Sequence, residues 1–206
     1  MRSPHPGWTV VVPVKRYAVA KSRLLVPPPM RIELASAMVR DTVRAARRCS
    51  VVQRLVVVTD DERAASELSA IGAEVIGDEP DAGLNSALAH GMRAAREQRH
   101  VPVVLLSGDL PALAGTDLDA VLEATTSVSV VADRAGTGTT VVAIAAGHAF
   151  SPSYGEGSLA RHVAAGAVDL TPTAPLGLRL DVDTLEDLEA ARQLGVGPAT
   201  AAALCS

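Results

Sequence analysis

Cysteine, lysine and aromatic residues are scarce in this chain, and each scarcity removes a class of function. Only two cysteines occur, Cys49 and Cys205. Their separation builds neither a Cys/His metal spacing nor a disulfide framework, and a reducing cytoplasm is the expected location. Trp8, Tyr17, Phe150 and Tyr154 are all the aromatic residues there are. A single-stranded nucleic-acid binder needs stacking rings along a basic groove, whereas this chain has a net charge of −4 with its arginines dispersed. No nucleic-acid partner is expected. Apolar runs such as 101–106 fall well short of the roughly 20 residues of a membrane span. The opening MRSPHPGW lacks the apolar centre of a signal peptide, so no membrane partner is expected either. Familiar catalytic patterns are missing too. There is no GxSxG, and His5, His90, His100, His148 and His162 show no HExxH spacing. Each histidine reads as a surface or internally satisfied residue, with His162 set apart because it adjoins a candidate site segment.

What is present is an ordinary globular mixture: 206 residues, 48% hydrophobic and 20% charged. That supports one domain over residues 1–206 with a core of its own. β-branched runs predict strands at 8–14, 54–59, 73–76, 101–106, 128–132, 139–145 and 178–180. Apolar residues at helical spacing predict helices at 30–48, from the Asp60-Asp61 cap to about residue 71, and at 84–99, 116–124, 158–165 and 184–194. Thr116 is the expected N-cap of the fourth helix, with Asp119 as its capping-box partner. Early β-α-β alternation implies a parallel sheet covered on both faces. A turn at 134–138 suggests a hairpin that makes the sheet mixed. The expected fold is a three-layer α/β/α, Rossmann-like domain with a mixed, mostly parallel sheet and frayed ends at 1–6 and 198–206.

Ligands of open α/β sheets bind beyond the carboxyl ends of the strands, and four segments qualify. KRYAVAKSR follows the first strand and holds Lys15 and Lys21, the only lysines, with Arg23. It lacks the P-loop glycines, but its mobile cations suit a polyphosphate. SGDLP places Asp109 after the strongest strand, where Gly108 allows a bend and a close ligand approach. DVDT points Asp181 and Asp183 to the same side of an extended segment. Two such anions repel unless a cation joins them, and magnesium suits carboxylates plus substrate phosphates; alternatively, Asp183 caps the last helix. GTGTT and YGEGS offer glycines and hydroxyls beside a helix start, which suits an anion; the alternative is a pair of tight turns.

The order VPVKRYAVAKSRL, GLNSAL, LSGDLPAL, ADRAGTGTT, YGEGSLARH and GLRLDVDT resembles the 2-phospho-L-lactate/phosphoenolpyruvate guanylyltransferase family of coenzyme F-420 biosynthesis, over nearly the whole chain. The resemblance implies a nucleotidyltransferase fold. It also implies transfer of GMP from GTP to phosphoenolpyruvate, giving enolpyruvyl-diphospho-5'-guanosine and diphosphate. Carried over by motif, Asp109, Asp181 and Asp183 are the expected catalytic magnesium ligands. Thr139, Gly155 and Ser158 are the expected phosphoenolpyruvate contacts, and Lys15, Lys21, Arg23 and Asn85 the expected nucleotide contacts. The residues leave 2-phospho-L-lactate and 3-phosphoglycerate open as acceptors, and a homodimer open as the assembly. A nucleotide-sugar glycosyltransferase and a non-catalytic nucleotide-binding regulator are the competing readings.

Overall fold

Strand residues that alternate between two apolar faces organise the architecture. In the computed structural model, which describes residues 7–79, 81–96 and 101–205, seven strands form one sheet in the order β3-β2-β1-β4-β6-β5-β7. They are β1 (Trp8–Pro13), β2 (Val52–Val58), β3 (Glu74–Ile76), β4 (Val103–Leu106), β5 (Val128–Val131), β6 (Val141–Ile144) and β7 (Val168–Asp169). β1 pairs in parallel with β2 and β4, while β6 runs antiparallel to both β4 and β5. The helices are α1 (Pro28–Arg48), α2 (Glu62–Ser69), α3 (Leu84–Arg96), α4 (Gly115–Ala124), α5 (Ser158–Ala164), α6 (Leu185–Leu194) and α7 (Pro198–Ala203).

Val10, Val12, Val57, Val104 and Leu106 face one way and pack with α1, α2 and α4 through Val39, Val43, Leu68, Leu118 and Leu122. Val11, Val56, Val58, Val103 and Leu105 face the other way, against Ala87 and Leu88 of α3 and Leu159 of α5. The period-2 alternation of each strand thus separates the two helical layers. A third cluster joins Leu24, Leu34 and Met38 to Val182 and Leu188, tying the loop after β1 to α1 and α6. No helix among the described residues is long and apolar enough to cross a membrane.

Three sequence expectations need correction. Thr116 is not the cap of α4. That helix begins one residue earlier, at Gly115, where a Cβ would lie 2.9 Å from the carbonyl carbon of Arg48. Only a glycine lets the helix start press against the end of α1. Asp117 therefore takes the N3 position and accepts from the Ala114 N–H at 3.1 Å. Asp119 instead accepts from the Ser50 backbone N–H at 2.8 Å. The expected strand at 178–180 is a 3-10 turn, Leu176–Leu178. There Leu178 is buried and its carbonyl accepts from Thr140 Oγ1 at 2.6 Å, so the chain folds back toward the centre of the sheet instead of adding a strand. Residues 198–203 form α7 rather than a frayed end, because buried Asp41 of α1 accepts from the Ala199 and Thr200 N–H groups at 3.1 and 2.7 Å. The expectations for residues 1–6, His5, His100 and the end of α3 at 97–99 lie outside the described residues.

Gly91 sets how closely α3 approaches the sheet. A Cβ there would lie 2.4 Å from Val11 Cγ1 and 2.8 Å from Val58 Cγ2. Helix propensity favours alanine over glycine by about 1 kcal/mol, but overpacking a rigid core costs about 1–3 kcal/mol. Packing should win. Gly91→Ala is expected to lower the urea midpoint, and a raised midpoint would show that α3 has room to move.

Candidate functional site

The sheet order brings four chain segments to one edge. The loops after the parallel pair β1 and β4 leave side by side, and β5 ends at the same edge. Because β6 runs the opposite way, the residues just before it, including Thr139, lie there as well. The fourth segment, Asp181 to Asp183, is held against the loop after β4 by a bond from the Val182 N–H to the Asp109 carbonyl at 3.1 Å.

The loop after β1 is fixed by two apolar anchors. Tyr17 is buried, and its N–H donates to Asp61 at 2.7 Å, the carboxylate that also caps α2. Leu24 is buried in the third cluster. Arg31 of α1 donates to the carbonyls of Ala18 and Ala20 between them. Lys21 sits in this span with a φ of +56°, a left-handed backbone that costs an L-residue about 1–2 kcal/mol. Such strain persists where the surroundings demand it. Here the Lys21 ammonium ion-pairs with Asp109 and lies 3.0 Å from Asp183 Oδ1, while Arg23 pairs with the other oxygen of Asp183.

Lys21 is therefore no mobile surface cation. Its side chain is 11% exposed, against 71% for Arg23. Burial pulls its ammonium toward neutrality, but Asp109 and Asp183 outweigh this and hold it above the ordinary lysine value. Lys15 is exposed. The role of Gly108 also becomes specific: a Cβ there would sit 3.2 Å from Val12 Cγ1 and 3.3 Å from the Pro13 carbonyl, so its smallness lets the loop pack on the end of β1.

Asp181 and Asp183 flank Val182, which is fully buried. Asp183 does not cap α6. Thr184 does, accepting from the Asp187 N–H at 3.2 Å, while the Asp187 carboxylate accepts from the Thr184 N–H at 2.9 Å. That leaves Asp183 to face the cations. Burial, then the negative charges of Asp109, Asp133 and Asp183, push the Asp181 carboxyl up to about 7. Among the described residues no three His, Cys, Asp or Glu side chains form a ready-made metal-binding group, since Lys21 stands between two of the carboxylates. The donor set nonetheless fits a hard divalent cation. It is all carboxylate oxygen, the ligand type such ions take, and a bound cation would offset the burial and like charges that raise Asp181.

The turn between β5 and β6 carries the second half of the site. Asp133 accepts from the Thr137 and Gly138 N–H groups at 3.0 and 2.9 Å, fixing the GTG turn. The Thr137 carbonyl accepts from the Leu159 N–H at 3.1 Å, which docks the start of α5 on that turn. Thr139 and Ser158, both buried, then meet hydroxyl to hydroxyl at 2.9 Å. Gly155 and Gly157, with φ of +122° and +68°, turn the chain into α5. Asn85 spends its amide on the backbone of Tyr154, accepting from its N–H at 2.7 Å and donating to its carbonyl at 3.1 Å. It clasps α3 to the YGEGS segment. The role of Asp133 was missed in the sequence, although an Asp four and five residues before two turn N–H groups is a usable signal.

The family profile described as "Guanylyl transferase CofC like" matches residues 8–196. A phosphoenolpyruvate guanylyltransferase from Thermomonospora curvata is 51% identical, with 95% of this chain and 87% of that protein covered. In architecture the chain is similar to a crystal structure from Desulfovibrio desulfuricans G20 assigned as a candidate nucleotide-diphospho-sugar transferase. The TM-score is 0.71 at 16% identity, covering 96% and 94% of the two chains. It is similar also to a nucleotidyl transferase from Methanothermobacter, with a TM-score of 0.62 at 20% identity, covering 91% and 97%. These two likenesses establish a nucleotidyltransferase-like α/β fold.

A carboxylate whose native pKa is raised destabilises the fold as pH climbs from its unfolded value to its native one. For Asp181 that window runs from about 4 to about 7. In chelator-containing buffer, Asp181→Asn should raise Tm by a few degrees at pH 8 and have little effect at pH 4. A gain of equal size at both pH values would show that charge crowding is not the cause.

Proposed function

The chain belongs to the CofC-like guanylyl transferase family, and from that membership we propose that it transfers GMP from GTP to phosphoenolpyruvate, releasing diphosphate, as a step of coenzyme F-420 biosynthesis. The observation that carries the reading is the 51% identity to a phosphoenolpyruvate guanylyltransferase across 95% of this chain. It is supported by the gathering of Lys21, Asp109 and Asp183 at the carboxyl ends of β1 and β4.

The chemistry asks little of a general base. The acceptor phosphate is already an anion at neutral pH, so in-line attack on the α-phosphorus of GTP needs positioning and charge neutralisation more than proton removal. That accounts for a site with no Ser–His or Cys–His pair. Thr139, Ser158 and the backbone at Gly155 bind the acceptor. Hydroxyl and N–H donors hold an anion without quenching its nucleophilicity, as a pair of guanidinium groups would. Lys15, Lys21 and Arg23, on the loop after β1, receive the triphosphate. Magnesium is the cofactor of this reading: Asp109, Asp181 and Asp183 would hold it, and it would supply charge neutralisation at the transferring phosphoryl group.

Lys21 then has two partners to choose between. Before nucleotide arrives, its ammonium neutralises Asp109 and Asp183. A divalent cation held by those carboxylates would take over that neutralising role, leaving the Lys21 ammonium as a donor for the phosphates.

The test is diphosphate release from GTP with phosphoenolpyruvate, 2-phospho-L-lactate and 3-phosphoglycerate in parallel. Phosphoenolpyruvate should be fastest, because its planar enol carbon differs in shape from the tetrahedral carbon of the others. A preference for phospholactate would change the acceptor and keep the class; no release with any acid would overturn the function. Asp109→Asn, Asp181→Asn and Asp183→Asn should each lower turnover by ~10²–10³, the scale of losing electrostatic stabilisation at a developing charge. Near-normal rates in all three with magnesium present would remove the metal assignment.

A further inference from the structure

The four aromatic residues of the chain are unevenly used. Two of them, Phe150 and Tyr154, hold the ring of His162, at centroid distances of 5.7 and 5.5 Å, the Tyr154 contact being edge-on. Tyr154 is itself pinned by a bond from its hydroxyl to the Leu105 carbonyl at 3.1 Å. His162 is 1% exposed. Both of its ring nitrogens are engaged. Nε2 accepts from the Ser153 backbone N–H at 2.8 Å, and Nδ1 lies 3.1 Å from Thr139 Oγ1.

These contacts fix the tautomer. A backbone N–H can only donate, so Nε2 carries no proton. Burial, helped by the neighbouring Arg161 charge, holds the imidazole below the usual histidine range and keeps it neutral. The one ring proton is therefore on Nδ1 and is donated to Thr139 Oγ1. Thr139 and Ser158 bring two hydroxyl protons, and their mutual hydrogen bond consumes one, whichever way it points. The second proton has no acceptor among the described residues.

We infer that His162 is a positioning residue which, by donating to Thr139, obliges the Thr139–Ser158 pair to present an O–H donor to an anionic group of the acceptor. Without that donation, the Thr139 hydroxyl is free to turn inward and show the ligand a lone pair, which an anion avoids. The inference rests on the proposal that Thr139 and Ser158 meet phosphoenolpyruvate. It adds to that proposal a reason for the orientation of the two hydroxyls, supplied by a residue that does not itself touch substrate.

The test separates the two ring nitrogens. In H162Q the longer amide reaches toward the Nε2 position and can keep the Ser153 contact while losing the donor to Thr139. In H162N the amide nitrogen sits near the Nδ1 position and can keep that donor while losing Ser153. H162Q should raise the KM for phosphoenolpyruvate about tenfold, the effect of one lost hydrogen bond at an anion. H162N should stay within about threefold of wild type, and the KM for GTP within about twofold in both, on the same scale. In a Thr139→Val background, H162Q should add nothing further, since the two residues act through one bond. The inference is overturned if H162N is as impaired toward phosphoenolpyruvate as H162Q, if both raise the two KM values together, or if the double variant shows additive losses. Circular dichroism on each variant keeps loss of fold apart from loss of donor. If the wild-type protein shows no turnover with phosphoenolpyruvate, the underlying reading has failed instead.

Discussion

The ion pairs of Lys21 with Asp109 and Asp183 are the contact on which the arrangement of the site depends. They join three segments distant in sequence: the loop after β1, the loop after β4 and the segment that leads into α6. Without the ammonium, Asp109 and Asp183 would stand unneutralised beside Asp181, whose carboxyl burial and then their charges, with that of Asp133, already push up to about 7. Two like charges at close range in a half-buried site repel by several kcal/mol at an effective dielectric near 20. The scarcity of lysine in the sequence therefore has a structural counterpart. Lys15 is exposed, whereas Lys21 sits where a compact ammonium reaches two carboxylates from a left-handed backbone.

The rest of the fold serves to deliver those charges. Valine-rich strands bury both faces of the sheet, so β1 and β4 can lie side by side at its centre and end together. The antiparallel β6 then returns Thr139 to the same edge that an all-parallel sheet would reserve for strand ends alone. Asp133 occupies the seam between the two halves. It fixes the turn that carries Thr139, and its charge is felt by Asp181. The hollows between α1 and α7, lined by Arg40, Arg44 and Pro198 among others, lie apart from this chemistry.

Much of this was readable in the sequence because apolar periodicity and motif order are local signals. Six of the seven strands announce themselves as β-branched runs, and GDLPAL and DVDT mark their own segments. What was not readable depends on partners far along the chain. The cap of α4 is decided by how tightly Gly115 meets the end of α1, and α7 is held by Asp41, about 160 residues earlier in sequence (from residue 41 to 199 and 200). The 3-10 turn at Leu176–Leu178 reflects its bond to Thr140. Lys21 read as a mobile cation because only the folded chain brings the two aspartates to it. His162 stood out only by its place beside YGEGS; its ring contacts with Phe150 and Tyr154 give it an orientation no spacing rule encodes.

The central claim is that this edge of the sheet carries GMP from GTP to a small phosphorylated acid. Isotopic position tests it most directly. With phosphoenolpyruvate as acceptor and GTP labelled at the α-phosphorus, the label should appear in a new diphosphate-linked adduct, and label placed at the γ-phosphorus should leave entirely as diphosphate. Release of γ-label as orthophosphate, with the α-label remaining in GDP and no adduct formed, would contradict the account.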